Sequence, residues 1–472
     1  MQNSPIVSVC CDYPGGNVKI NRISPGLVEL EPDLRDTPSD WFYWNFEVEA
    51  HGSGLVKFVF PPERLMISAL GPCVSTDGGK TWNWLGRDKT VFYDTHPTEK
   101  SDSFCWEFKA GGEKVRFAQG FPYLKADFDR FVDSIRGHED VKITTFARTR
   151  QGKESPMLVI GSNNPDTKNV LLTARHHCCE ATANYVWEGF VKEILSDSVF
   201  GKAFRRKYTL YAIPFVDLDG AEAGDQGKGR APHDHNRDYN LPKHLYPEIE
   251  AIQQMHSQLK FAIALDFHDP AVRTDAHENF YFGGYRSPKN FENTAELIRW
   301  VMEESPEECG PTLHLGFSQP LPVVENTGLP FSYYFETHPD VIYGTTLENP
   351  YATIDSRYSM ESAREYGHGV LRAMMRFEFS TDAVPHKGHR EFQAFCESLN
   401  GSFAELSRKA EELLKQADLP GLYRAEINLR LAREYALNGQ KDQAKICNDA
   451  VLNIPEASMK QKRAAAAQNR DL

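Results

Sequence analysis

Residues 169–180 read Asn-Val-Leu-Leu-Thr-Ala-Arg-His-His-Cys-Cys-Glu, and the reading of this stretch decides the rest of the chain. A short apolar run, Val170 to Leu172, stops at two histidines. A glutamate follows, and a helical pattern then occupies residues 182–195. A short apolar run passing into a 3.6-period pattern predicts a buried strand that turns into a helix. His177 and Glu180 fall at that junction, an imidazole and a carboxylate with two residues between them. Both are ligands of the kind zinc accepts. His176 competes with His177, because its spacing to Glu180 suits one helix face. The reading favours His177, and it treats Cys178 and Cys179 as small packing residues rather than soft ligands.

Working outward, residues 141–149 and 157–160 are β-like. Residues 208–214, 261–267 and 343–347 are further apolar strands. Helical patterns over 247–259 and 291–303 lie between them, and 355–379 reads as one long helix closing the unit. Strands alternating with helices predict an α/β domain around a mixed, largely parallel central sheet flanked by helices. In such sheets ligands bind beyond the carboxyl ends of the strands. The residues just after each strand are therefore the ones that matter. They are His177 and Glu180, then Asp217 to Gly220 with a Gly-rich loop carrying Arg230, then Asn236 and Arg237, then His268, and finally Glu348. His, Glu and His are a three-ligand set that leaves one position of a catalytic zinc for water.

The flanks differ in character. Up to about residue 130 the chain is aromatic and partly alternating, punctuated by Gly, Pro and Asp, which predicts an all-β sandwich. Within it, Ser75-Thr-Asp77-Gly-Gly79-Lys-Thr81-Trp82 fits the hairpin motif called an Asp box, and reads as a β-turn with Trp82 packed beneath. Residues 391–414 and 422–454 are Ala-, Leu-, Glu- and Lys-rich helical material, followed by a basic, Ala-rich end at 459–472 that reads as a fraying helix. A lone helical repeat cannot bury its own face, so these helices are expected to pack on the catalytic domain or on a partner, as in a homo-oligomer. The expected division is 1–130 sandwich, 131–385 catalytic domain and 386–472 helical appendage.

A chain of 472 residues suits two or three domains. A net charge of -13 argues against nucleic acid and against anionic membranes as partners. No apolar run approaches a membrane span, and the start lacks the basic and apolar regions of a signal peptide. Nine cysteines without framework spacing suit free thiols in a reducing cytoplasm.

The ordered set of strand-end residues resembles the M14 metallocarboxypeptidases. The family's H-x-x-E is His177-Cys-Cys-Glu180 here, and its P-x-x-N-P-D-G loop is Pro214-Phe-Val-Asp-Leu-Asp219-Gly220. Its N-R pair is Asn236-Arg237, its D-x-H is Asp266-Phe-His268 and its T-x-E is Thr346-Leu-Glu348. The likeness covers roughly residues 131–379, and the aromatic domain before it looks like the cytosolic carboxypeptidase branch. The resemblance implies one zinc ion per chain held by His177, Glu180 and His268. It implies Glu348 as general base and then acid, Arg230 as the cation on the scissile carbonyl, and Asn236 with Arg237 as the clamp on a substrate's terminal carboxylate. The implied substrate is a peptide or protein C-terminus, cut at its last peptide or isopeptide bond. No confident match to the family's substrate-covering tyrosine exists; Tyr333, Tyr334 and Tyr343 are the candidates. Acidic tails would need a basic pocket group, for which Arg273 and Arg286 are candidates. Two other readings stay open: a zinc amidase of small N-acyl amino acids, and an inactive peptide- or glycan-binding protein.

Overall fold

The computed structural model describes residues 5–161, 166–273, 280–283, 288–305, 328–352 and 358–379. It also describes 392, 395 and, apart from 418, 420, 456 and 458, residues 402–472. Ten strands come first: β1 (Val7–Cys10), β2 (Lys19–Ser24), β3 (Leu27–Glu31), β4 (Asn45–Ala50), β5 (Gly54–Pro62), β6 (Cys73–Ser75), β7 (Asn83–Trp84), β8 (Thr90–Val91), β9 (Ser101–Phe108) and β10 (Lys114–Ala118). They form two five-stranded sheets, ordered β1-β4-β10-β6-β7 and β2-β3-β5-β9-β8. Pairing is antiparallel except between β3 and β5. Between the sheets lies an aromatic core with Trp44, Phe46, Phe58, Phe104 and Phe117 buried. Burying one such ring contributes on the order of 2–3 kcal/mol. The Asp-box residues form a hairpin turn. Asp77 accepts hydrogen bonds from the Lys80 and Thr81 amides at 3.0 Å each, and Trp82 donates to the Gly79 carbonyl.

The second sheet system has seven strands: β11 (Val141–Arg148), β12 (Glu154–Ile160), β13 (Lys168–Ala174), β14 (Tyr208–Ile213), β15 (Phe261–His268), β16 (Tyr281–Gly283) and β17 (Tyr343–Glu348). Their order is β11-β12-β14-β13-β15-β17-β16. The central four, β14-β13-β15-β17, are parallel, and both edges are antiparallel. This is the mixed, largely parallel sheet that the apolar runs predict. All eight residues of β15 are buried, as expected for a strand covered on both faces.

Helices pack around this sheet: α1 (Lys125–Ile135), α2 (Ala183–Leu195), α3 (Val199–Lys207), α4 (Leu218–Ala223), α5 (Pro247–Leu259), α6 (Pro288–Glu304), α7 (Phe331–Glu336) and α8 (Met360–Phe379). Helix α5 opens on a proline at its first position, where the missing N–H costs nothing. Helices α2 and α8 approach so closely that a Cβ on Gly189 would sit 1.9 Å from the Arg364 carbonyl oxygen. Four more helices end the chain: α9 (Phe403–Leu414), α10 (Gly421–Leu437), α11 (Lys441–Asn453) and α12 (Met459–Asp471). The expected single segment over 422–454 breaks at Gly439, whose φ of 74° is left-handed. Tyr423 of α10 stacks on Phe392, and both belong to the hydrophobic cluster that also holds Met374 and Phe377 of α8. The appendage is thus joined to the core of the chain it belongs to.

Two expectations differ in detail. Trp41 to Trp44 lie outside any strand, because the Tyr43 backbone is held instead by the Gln226 side chain, at 2.9 Å to both its N–H and its carbonyl. Helix α1 crosses the expected boundary at 130, and its Phe128 and Phe131 pack on Trp187 of α2.

Candidate metallopeptidase site

Strand β13 is followed by Arg175, which takes a left-handed φ of 65°. That conformation costs a non-glycine residue about 1–2 kcal/mol, so something must hold it. Its own guanidinium does: Nε donates to the Cys178 carbonyl at 2.7 Å, and Nη1 donates to the Tyr123 carbonyl at 2.9 Å and to Asn184 Oδ1 at 3.1 Å. Arg175 therefore braces the turn that carries His177 and Glu180 from strand to helix. The sequence reading passed over it, although an arginine closing an apolar run was visible.

Strands β13, β15 and β17 are adjacent, so their ends bring the expected residues together. His177 Nδ1 lies 2.8 Å from Glu180 Oε1, and His268 Nδ1 lies 2.6 Å from Glu180 Oε2. All three residues are buried. His268 pairs in register with Glu348 on the neighbouring parallel strand. Asn236 Nδ2 is 3.5 Å from His268 Nε2, and its Oδ1 is fixed by the Phe331 amide at 2.7 Å. Arg237 is exposed beside it, and its Nη1 donates to the Asn236 carbonyl at 2.7 Å. Among the described residues no carboxylate lies within 4.0 Å of Arg237.

The donor set fits a metal ion. His268 Nε2 is 2.5 Å from Asp266 Oδ2, and the tautomer with its proton on Nε2 turns the Nδ1 lone pair toward Glu180. A lone pair facing a carboxylate oxygen at 2.6 Å needs a positive charge between them, either a proton or a metal cation. Burial works against charge on His268, but Asp266 and Glu180 outweigh it and hold the imidazole's pKa well above its ordinary value. Burial likewise pushes the Glu180 carboxyl up, and the two histidines pull it below the usual carboxylate range. His177 Nε2 is buried without a hydrogen-bond partner, 3.7 Å from Asp234 Oδ2. Asp234 is a residue that sequence reasoning missed, two positions before Asn236. His176 is differently placed: Nδ1 meets Asp266 Oδ1 and Nε2 meets the Tyr239 hydroxyl, each at 2.8 Å. Both its nitrogens are used, so it supports Asp266 rather than offering a free donor. Cys178 and Cys179 are buried, with Cys178 directed to the Asp225 carbonyl and Cys179 receiving the Trp41 indole N–H.

Glu348 is partly exposed at the end of β17. Burial raises its pKa, with Glu180 adding to the rise and His268, Lys228 and His177 opposing it.

Arg230 touches the turn of this cluster only at Cys178, whose Sγ is 3.8 Å from Nη2, and its guanidinium is otherwise engaged by carboxylates. Its Nε meets Asp36 Oδ2 at 3.2 Å, Nη1 meets Asp217 Oδ2 at 2.8 Å and Nη2 meets Asp225 Oδ2 at 3.1 Å. Asp36 comes from the sandwich, out of reach of any local reading of the loop. Arg273 is also committed elsewhere, paired with Asp102 of β9 at 2.8 Å. Arg286 lies outside the described residues. Tyr333 is buried, Tyr334 packs on Tyr239 and His256, and Tyr343 is buried within β17.

Fold and site together define a class: a central mixed sheet whose parallel strand ends carry a His-Glu-His set and a neighbouring glutamate. Residues 131–291 match the zinc carboxypeptidase family, peptidase M14, so the chain carries a domain of that family. It is homologous to the cytosolic carboxypeptidases. It is 24% identical over 292 residues to cytosolic carboxypeptidase 2 of Xenopus tropicalis, covering 54% of this chain and 30% of that one. Against cytosolic carboxypeptidase 6 of Caenorhabditis elegans the figures are 22% over 268 residues, 52% and 57%. The chain thus spans between about a third and somewhat over half of these relatives' length. Among solved structures, a metallo-carboxypeptidase from Burkholderia cenocepacia superposes with a TM-score of 0.66 at 16% identity, over 78% of this chain and 98% of that one. That likeness concerns the fold. No described helix is long and apolar enough to cross a membrane.

Proposed function

We propose that this protein is a zinc-dependent carboxypeptidase that removes the C-terminal residue of a peptide or protein. The observation that carries the reading is the convergence of His177, Glu180 and His268 at the strand ends, with Glu348 in register beside His268. One zinc ion held by those three residues would supply Lewis acidity and would lower the pKa of bound water toward ~7. The remaining chemistry belongs to the chain. Glu348 accepts a proton from the attacking water and delivers it to the leaving amine nitrogen; a carboxyl raised by its surroundings suits both tasks. Asn236 and Arg237 hold the substrate's terminal carboxylate, since a guanidinium offers a bidentate fork that an ammonium lacks. Asp266 and His176 orient His268 and exclude the wrong tautomer.

The test is direct. Zinc-loaded protein is expected to release the last residue from peptides with a free C-terminus and to leave their amidated forms intact. Glu348→Gln is expected to lower kcat by on the order of 100- to 10,000-fold while zinc content by atomic absorption stays at one per chain. Equal cleavage of amidated peptides, or full turnover by that variant, would sink the proposal.

A further inference from the structure

Water adding to a peptide carbonyl pushes the C=O electrons onto oxygen. The C–N bond then breaks, the electrons return to form the new carboxyl, and the nitrogen leaves with the proton held by Glu348. The oxygen is negative between those two events, and the chain should present a cation to it. Arg230 is the arginine of the Gly-rich loop, but all three of its nitrogens are turned to carboxylates. Three carboxylates around one guanidinium leave no net positive charge there for a substrate's oxyanion. The same loop carries one other cation, two residues earlier.

We propose that Lys228 is the residue whose ammonium stabilises the oxyanion, in the position where the loop's arginine was expected. The inference rests on the functional reading above, and it follows from how the loop is built. Gly227 lies so close to the metal-ligand turn that a Cβ there would sit 2.5 Å from the Cys178 amide nitrogen and 3.2 Å from the His177 carbonyl carbon. Its φ of 75° is left-handed, which only glycine takes freely. Lys228 therefore leaves the backbone directly beside His177. The loop cannot slide away, because Asp36 accepts hydrogen bonds from the Gln226 and Gly227 amides at 2.9 and 2.8 Å. On the far side, Asp234 accepts from the Gly229 amide at 3.0 Å. That carboxylate is also the one nearest His177 Nε2.

The side chain is placed to match. Lys228 Nζ is 5.9 Å from the centroid of the Trp41 ring, and that indole donates to Cys179, the residue before Glu180. Lys228 is also among the charges that act on the Glu348 carboxyl. It is partly exposed, and among the described residues no carboxylate lies within 4.0 Å of it. Thus one cation of the loop is consumed in holding the loop's shape, and the other leaves the backbone beside the metal-ligand turn without a carboxylate partner among the described residues. A lysine reaches an oxyanion as a point charge, which serves a single oxygen as well as a fork does.

The experiment compares Lys228→Met and Lys228→Arg in the full, zinc-loaded chain. Lys228→Met is expected to lower kcat by on the order of 100- to 1,000-fold, the loss typical of one oxyanion donor, with KM within about threefold. A second readout is binding, by calorimetry, of a peptide whose last bond is replaced by a phosphonate, a stable mimic of the tetrahedral oxyanion. Lys228→Met is expected to weaken that probe by a comparable factor, while zinc content stays at one per chain. Lys228→Arg is expected to recover most of both. Lys228→Met keeping kcat within threefold, losing zinc, or weakening the phosphonate no more than the reaction product overturns the assignment. So does an arginine variant as impaired as the methionine one. Wild-type protein that releases no C-terminal residue fails earlier, at the functional reading itself.

Discussion

Two clusters, one centred on a cation and one on a carboxylate, flank the turn at Cys178, and they are built differently. Around Arg230, each guanidinium nitrogen has its carboxylate: Asp36, Asp217 and Asp225. Around Glu180, two imidazole nitrogens crowd one carboxylate at 2.6 and 2.8 Å, and His177 Nε2 is left without a hydrogen-bond partner, 3.7 Å from Asp234. The first cluster is complete without any guest. The second brings together donors that could hold a metal ion. Buried charges that are fully paired contribute shape, and buried charges that converge with a valence to spare are where chemistry is expected. An arginine was therefore the wrong residue to weigh by type alone; its partners decide its role.

The sharpest way to break this contrast is Arg230→Met. Removing the cation leaves three carboxylates together with little exposure, and breaking a buried pair from one side costs about 3–5 kcal/mol. The expected outcome is a large drop in the urea midpoint of unfolding, with zinc still bound at one per chain in the folded fraction. An unchanged midpoint together with a collapse of kcat would show that Arg230 faces the substrate, and would reverse the comparison.

How much of this was legible beforehand depends on range along the chain. Strand β15 and the histidine at its end could be read locally, because eight buried residues in a row leave few alternatives and His268 simply follows. The preference for His177 over His176 rests in the sequence on the H-x-x-E pattern of the resemblance, whereas the structure adds that His176 spends both nitrogens on Asp266 and Tyr239. What could not be read is what arrives from elsewhere. Asp36, almost two hundred residues before Arg230, is what claims that guanidinium. Gln226 takes the Tyr43 backbone out of the strand that Trp41 to Trp44 were expected to join. Helix α1 was missed because its apolar face, Phe128, Phe131 and Val132, is visible as such only against Trp187. Asp234 and Lys228 carried local signals, a carboxylate just before Asn236-Arg237 and a lysine between two glycines. Spacing in a Gly-rich loop does not say which way either points.

A milder test of the paired class uses pH. Glu193 of α2 receives His368 of α8 at 2.9 Å and Arg372 at 3.0 Å, and Ser198 donates to its other oxygen at 2.8 Å. Burial would raise its carboxyl, but these partners win and bring its pKa from 4.5 down to about 2. A carboxyl depressed by folding stabilises the fold at pH values above its unfolded pKa. That contribution fades as pH falls from about 4.5 toward 2. The shift corresponds to at most about 3 kcal/mol at neutral pH, and solvent screening lowers that figure. In Glu193→Gln the urea midpoint is expected to fall clearly below wild type at pH 7, and the gap is expected to narrow steadily below about pH 4.5. A gap independent of pH would mean that the pairing carries no net charge dependence.

The smallest expected effect separates the two clusters most finely. Asp266 touches both histidines, His176 at 2.8 Å and His268 at 2.5 Å, and lies one shell behind the three donors. Asp266→Asn keeps the shape and removes the charge. In a structural ion pair that change would appear mainly as lost stability. Behind a metal ligand it weakens the basicity of His268 Nδ1 and loosens its tautomer, and the loss is typically about 10- to 100-fold in metal affinity. Competition with a chromogenic chelator measures that affinity without reference to turnover. A decrease in this range, with excess zinc restoring binding, would place Asp266 with the open cluster. Undiminished zinc affinity with a lowered urea midpoint would move it to the class of Arg230, and His268 would then be held by its pairings rather than prepared for a metal.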